Sequence, residues 1–172
     1  MPGQRVAVIG SASGNGKTTL GRRLATRLGV PFYELDALNW GPGWTEATPD
    51  ELRAHVEPIV HGEAWVIDGL YRGKLGDLVV ANADLVVWLD LPAHVWFPRL
   101  LRRTLRRILR REQFLNGNRE TFRNAFLSRD SLILYALRSH RRRRRMYPSA
   151  LASYRVIRLR RLDEVDRFLR GL

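Results

Sequence analysis

Residues 6–20 read VAVIGSASGNGKTTL. An apolar run enters a loop rich in glycine and serine. That loop closes on Gly16-Lys17-Thr18, and an alanine- and leucine-bearing stretch follows. Counted back from Lys17, the Walker A pattern G-x-x-x-x-G-K-[ST] places Gly16, Lys17 and Thr18 correctly. Its first glycine position falls on Ser11, because Gly10 stands one residue early. Backbone N–H groups converge on phosphate oxygens only where a tight loop lacks side chains, which Gly14 and Gly16 allow. Lys17 is then the group that reaches the β and γ phosphates, and the Thr18 hydroxyl the one that ligates Mg²⁺. Ser11, Ala12, Ser13, Gly14, Asn15, Gly16, Lys17, Thr18 and Thr19 are the candidate nucleotide-binding residues, with ATP and Mg²⁺ as the expected ligands.

Working outward, Arg5 to Ile9 predicts a buried strand. Lys17 to Leu28 predicts a helix, with Leu20, Leu24 and Leu28 at spacing four and Gly29 as its stop. Further strands are expected at Pro31–Leu35, Ala64–Ile67, Leu85–Leu89 and Arg155–Leu159. Helices are expected from Pro49 to about Val60, near Leu75–Ala81, from Val95 to about Leu115, over most of Arg119–Met146 and at Asp163–Leu169, with Pro148 ending the long one. Alternating strands and helices imply a three-layer α/β fold with a five-stranded parallel sheet covered on both faces. No linker divides residues 1–172, so one domain is expected, with a helical lid or insertion at about 95–147.

In such sheets ligands bind beyond the carboxyl ends of the strands. Three acids fall there: Asp36, Asp68 and Asp90. Asp68, in WVIDG, is the candidate carboxylate on the Mg²⁺ side. Asp36 is the candidate for orienting or deprotonating an acceptor hydroxyl. Asp90 reads as structural. Trp40 and Trp44 flank a Gly-Pro-Gly turn beside Asp36. They either stack on the acceptor or close a cluster over the loop, and the sequence leaves both open.

The chain has 172 residues, no cysteine and a net charge of +13. Disulfide scaffolds, cysteine-ligated zinc and thiol catalysis are excluded. No apolar run approaches the ~20 residues of a membrane span, and the start lacks a signal-peptide pattern. A cytoplasmic protein without a membrane partner is expected, as a monomer or homodimer. The basic residues are 28 Arg and two Lys, Lys17 and Lys74. Arg99 to Arg161 holds 20 Arg against Glu112, Glu120 and Asp130, a segment of +17 that leaves −4 for the remainder. Such a patch has three readings: lid arginines around a triphosphate, a nucleic-acid face, or solvated surface in an arginine-rich chain.

The phosphate loop, LDALNWGPGW (35–44), WVIDGLYR (65–72), ADLVVWLDLP (83–92) and VIRLRRLDEVDRFL (156–169) together resemble the adenylate-kinase-related bacterial P-loop proteins known as DNA topology modulation proteins. The resemblance covers nearly the whole chain. It implies a P-loop NTPase fold of the nucleoside-monophosphate and shikimate kinase type, with an Arg-bearing lid. Asp68-Gly69-Leu70-Tyr71-Arg72 resembles the D-G-x-x-R segment of adenylate kinases, which implies Asp68 near Mg²⁺ and Arg72 on the acceptor phosphate. Arg99 and Arg103 resemble the paired arginines before the lid. The acceptor helix of adenylate kinases is absent, and Asp36, Trp40 and Trp44 stand in its place, which argues against AMP. The expectation is an ATP-dependent kinase with Lys17, Asp36, Asp68, Arg99 and Arg103 as catalytic residues and a small-molecule acceptor. The alternatives are a nucleic-acid-associated NTPase using residues 99–161, a kinase acting on a nucleic-acid 5′-hydroxyl, and a non-catalytic nucleotide-binding module.

Overall fold

The structure, a computed structural model, describes residues 4–127 and 131–171. Arg129 and Asp130, counted above in the basic segment, lie outside the described residues. Strands β1 (Arg5–Gly10), β2 (Phe32–Glu34), β3 (Trp65–Asp68), β4 (Leu85–Leu89) and β7 (Val156–Leu159) form one sheet in the order β2-β3-β1-β4-β7. Every neighbouring pair is parallel. Helices α1 (Lys17–Leu28), α2 (Leu35–Asn39), α3 (Pro49–Val60), α4 (Arg72–Leu75), α5 (Leu78–Ala81), α6 (Ala93–Leu109), α7 (Leu132–Ala150) and α8 (Leu162–Arg170) surround it. A small antiparallel hairpin, β5 (Gln113–Phe114) with β6 (Asn118–Arg119), stands between α6 and α7.

Strand side chains alternate between faces, and the burial follows. Ala7, Ile9, Ile67, Val86 and Trp88 pack on one side with Leu52, Val56 and Tyr147. Val6, Val8, Val66, Val87 and Leu89 pack on the other with Leu20, Leu24 and Leu169. A third cluster joins Ala12 of the phosphate loop to Trp96 and Leu100 of α6 and Ala136 of α7. This cluster seats the loop on the two arginine-rich helices. Gly21 makes the α1–β2 contact close, since a Cβ there would meet the Phe32 ring at 2.5 Å.

The expected strands are all present, with ends shifted by at most one residue. Pro31–Leu35 is shorter because Leu35 already opens α2. The helix near Leu75–Ala81 is two short turns separated by Gly76, at φ +58°. The lid departs most from expectation. α6 stops at Leu109 rather than about Leu115, because Arg111 takes φ +48° and the chain turns into the hairpin. Residues 119–127 are not a continuous helix. They hold β6 and a π turn over Arg123–Leu127, and α7 begins only at Leu132, where the Ser131 hydroxyl accepts from the Leu134 N–H at 3.3 Å. Pro148 does not stop α7, which runs to Ala150. So near the end a missing N–H costs the helix only one bond.

Gly14 carries the loop's seating. It has φ +83°, and a Cβ there would stand 2.8 Å from the Trp96 carbonyl oxygen and 2.9 Å from Leu100 Cβ. Gly14→Ala is expected to destabilise the fold by roughly 1–3 kcal/mol, from left-handed strain plus overpacking. A urea titration checks this; an unchanged midpoint would show that the loop is not seated on α6.

Candidate active site

The carboxyl ends of β1, β2 and β3 open into a cleft of about 1930 Å³. The phosphate loop crosses from β1 to α1, and Gly16, at φ +87°, caps the helix. No acid lies in the first turn of α1, so its free N–H groups and positive dipole end face the cleft unopposed. Lys17 and Thr18 both reach Asp68 at the end of β3. The Thr18 hydroxyl donates to Asp68 Oδ2 at 2.6 Å, and Lys17 Nζ lies 3.5 Å from Oδ1. Asp68 is 4% exposed. The Asp68 carboxylate raises the Lys17 ammonium above its ordinary lysine pKa; burial opposes this and Asp36 adds to it. Lys17 is therefore a cation throughout the neutral range.

Gly10 explains the displaced first glycine of the motif. A Cβ at Gly10 would lie 2.8 Å from Lys17 Cδ, so the lysine stem folds back across the end of β1 only because nothing projects there. Ser11 and Ala12 are fully buried behind the cradle. The Ser11 N–H donates to the Leu89 carbonyl at 3.0 Å and its hydroxyl to Asp90 Oδ1 at 2.6 Å. These two residues support the loop from behind, whereas Ser13, Gly14, Asn15, Gly16, Thr18 and Thr19 line the cleft.

Across the cleft, Asp36 lies in the first turn of α2 and accepts a hydrogen bond from the Tyr71 hydroxyl at 2.7 Å. Burial, then the Asp36 charge, pushes the Tyr71 phenol far above its usual value, so it remains a donor. Tyr71 sits at φ +44°, an uncommon conformation for an aromatic residue. The register of β2 on β3 sets Glu34 beside Asp68. Burial raises the Glu34 pKa, and the Asp68 and Asp36 charges raise it further. Neither Glu34 nor Tyr71 was singled out from the sequence, though both flank residues that were.

Trp40 and Trp44 close an aromatic cluster over the loop and also border the cleft. They meet edge to face at 5.7 Å, and Trp44 meets Phe114 of the hairpin at 5.4 Å. Asn118 locks this contact: its Oδ1 accepts from the Trp44 N–H at 2.8 Å, and its Nδ2 donates to the Gly41 carbonyl at 2.8 Å. Asn116 Nδ2 donates to the Trp40 carbonyl at 2.6 Å. Lys74 holds the other end of the loop through Asn39 Oδ1 at 2.7 Å and Glu46 at 2.8 Å.

Of the described arginines from 99 to 145, five line the cleft: Arg99, Arg103, Arg107, Arg142 and Arg143. Arg99, Arg103 and Arg107 follow one face of α6 at spacing four. Burial, then the neighbouring Arg107, holds the Arg103 guanidinium below its ordinary pKa. Its Nε has no hydrogen-bond partner among the described residues. Arg107 pairs with Glu120 at 3.0 Å and lies 3.8 Å over the Phe114 ring. Arg143 donates to the Gly10 carbonyl at 3.2 Å. Arg107 was legible as the next step of the Arg99/Arg103 spacing; Arg143 was hidden in a run of five. Arg72 lines the cleft but is bound to Asp77 through Nε at 2.6 Å and Nη2 at 3.0 Å. Anion contact by Arg72 would have to share or break that pair.

Thr18 and Asp68 bring a hydroxyl and a carboxylate oxygen together beside the phosphate cradle. Both are hard oxygen donors of the type Mg²⁺ takes. No separate cluster of three His, Cys, Asp or Glu able to hold a metal occurs among the described residues. No described helix is long and apolar enough to cross a membrane.

No protein-family model matches the chain. A shikimate kinase of Rhodopseudomonas palustris is 33% identical over 124 residues, which is 63% of this chain and 60% of that protein. The matched stretch thus spans about three-fifths of the length of that curated relative. Among solved structures, the shikimate kinase of Acinetobacter baumannii in complex with shikimate superposes with a TM-score of 0.59 at 16% identity, over 97% of this chain and 89% of that one. A gluconokinase of Sinorhizobium meliloti 1021 superposes with a TM-score of 0.53 at 20% identity, over 99% and 95%. The fold is the α/β P-loop kinase fold, with its five-stranded parallel sheet flanked by helices.

Because Asp68 is the largest upward influence on Lys17, Asp68→Asn is expected to lower the Lys17 pKa. The amine then becomes reactive at lower pH. Acylation across a pH series, read by mass spectrometry, checks this, with Lys74 as the internal reference. An unmoved Lys17 profile would mean that Asp68 does not govern its charge.

Proposed function

We propose that this protein is an ATP-dependent phosphotransferase that moves the γ-phosphoryl of ATP to a hydroxyl of a small acceptor. The observation that carries the reading is the convergence of Lys17 and Thr18 on buried Asp68, with Asp36 held by Tyr71 in the same cleft. The triphosphate lies on residues 13–19, with Lys17 on its β and γ oxygens. Mg²⁺ would be held by Thr18 and by Asp68, directly or through water, and would neutralise charge on the phosphates. Asp36 accepts the acceptor's O–H and fixes the line of attack; as the new P–O bond forms and the γ–β bond breaks, it takes up the proton. Arg103 and Arg143, with Arg99 beside them, supply positive charge around the transferring group. Positioning and charge stabilisation account for the catalysis.

The similarity to shikimate kinases and the fold shared with a gluconokinase support an acceptor that carries several hydroxyls and a carboxylate. Glu34 and Asp36 suit the hydroxyls, and the partnerless Nε of Arg103 suits an anion. Asn116 and Asn118 tie the hairpin to the Trp40–Trp44 loop, and Trp40, Trp44, Phe114 and Leu115 together line the cleft there, which favours a small acceptor over a nucleic-acid end. The segments that resemble the DNA topology modulation proteins border this same cleft, so membership of that group is compatible with the reading.

ATP consumption against hydroxy acids, sugars, sugar acids, nucleosides, nucleotides and oligonucleotides tests the proposal. Turnover is expected with a small hydroxylated acid, and Lys17→Ala abolishes it. Asp36→Asn lowers kcat by about 10²-fold or more, the scale of a lost general base, with ATP affinity kept. Full turnover in Lys17→Ala, or no ATP binding by the wild type, overturns the reading.

A further inference from the structure

Asp90 follows β4 and its side chain is fully buried. Its carboxylate gathers groups from three parts of the chain. Oδ1 accepts from the Ser11 hydroxyl at 2.6 Å and faces Arg144 Nε of α7 at 3.2 Å. Oδ2 accepts from Arg158 of β7, Nε at 3.1 Å and Nη2 at 2.5 Å. The Arg158 guanidinium lies 4.0 Å over Trp88, whose indole N–H donates to the Ser11 hydroxyl at 2.9 Å. So one buried anion connects the root of the phosphate loop, the sheet edge and the arginine-rich helix.

The neighbour of Arg144 is Arg143, which lines the cleft and donates to the Gly10 carbonyl at 3.2 Å. The Lys17 stem also passes close to Gly10, where a Cβ would lie 2.8 Å from Lys17 Cδ. The angle at which α7 meets the loop therefore decides where the Arg143 guanidinium stands relative to Lys17. Nothing else in the run Arg141–Arg145 pairs with an acid among the described residues.

We propose that Asp90 is a positioning residue for phosphoryl transfer: by holding Arg144 and Ser11 on one carboxylate, it sets α7 against the phosphate loop so that Arg143 faces the γ-phosphoryl site. This rests on the phosphotransferase reading above. It also gives a purpose to Ser11, which stands where the motif usually has glycine. A glycine there would leave Asp90 and the indole N–H of Trp88 without their shared partner.

Arg144 is half exposed, so Arg144→Gln removes the tie with little demand on folding. Arg144→Gln is expected to lower kcat about tenfold and to raise KM for ATP, with KM for the acceptor unchanged. Arg144→Lys, which keeps the cation, recovers most of the loss. Arg143→Gln loses at least as much. Asp90→Asn loses at least as much as Arg144→Gln, since it also loosens Ser11 and Arg158, and adding Arg144→Gln to Asp90→Asn costs no more than Asp90→Asn alone, since the Arg144 tie is already broken. Arg141→Gln, outside the cleft, is the unaffected control. An ATP-binding wild type whose Arg144→Gln variant keeps full kcat and KM overturns the role of Asp90 alone. A double variant whose losses multiply to about a hundredfold does the same. A wild type that binds no ATP overturns the phosphotransferase reading and this role with it.

Discussion

Two consecutive residues, Lys17 and Thr18, reach a single buried carboxylate on the neighbouring strand. That contact depends on the phosphate loop ending where α1 begins and on β3 lying directly beside β1, with Val8 opposite Asp68. Removing one member of a buried ion pair typically costs about 3–5 kcal/mol, because the other charge remains desolvated. Asp68 escapes that isolation through Thr18 and Lys17. The β and γ phosphates of a bound nucleotide would share Lys17 with it. The same arrangement thus stabilises the cradle and stays open to a stronger anion.

The distribution of charge follows from this centre. Glu34, Asp36 and Asp68 stand at adjoining strand ends; Lys17 faces Asp68, and Arg22 of α1 pairs with Glu34 at 3.5 Å. Arg22, Arg23 and Arg72 join them from α1 and α4, while Arg99, Arg103, Arg107, Arg142 and Arg143 come from α6 and α7. A net charge of +13 first suggests a polyanion as partner. Five of the described arginines of the basic segment line the cleft, while Arg144 and Arg158 neutralise Asp90 and Arg107 neutralises Glu120. Of the charge that remains, much is exposed on α6 and α7 and has no acid near it. The cleft thus gathers its strand-end carboxylates near Lys17 and most of its unpaired guanidinium charge on α6 and α7.

The fold was legible because its signals are local. The run from Val6 to Leu20 contains a strand, a loop and a helix start within fifteen residues, and parallel topology follows from the alternation of elements. Asp68 was legible because strand-end acids in such sheets face the ligand edge. Glu34 was not, because its place depends on the β2–β3 register, which no local pattern states. The hairpin of residues 113–119 escaped for a similar reason. Asn118 is buried by bonds to Gly41 and Trp44, more than seventy residues earlier, whereas the surrounding arginines and leucines carry helical propensity. Tertiary contact outweighed propensity there.

The departure from the Walker pattern shows the same principle at the scale of one residue. Read as a string, Ser11 is a defect in a glycine position, and Gly10 a glycine one place out of register. In the fold, Gly10 is where a side chain would collide with Lys17, and Ser11 is where a hydroxyl can reach Asp90. The cradle needs its bare backbone next to the lysine stem, and it needs a fixed root. This chain assigns those two requirements to adjacent residues. A consensus glycine at position 11 would meet neither, since it would add no room for Lys17 and would remove the anchor between the loop and the helix that carries Arg143.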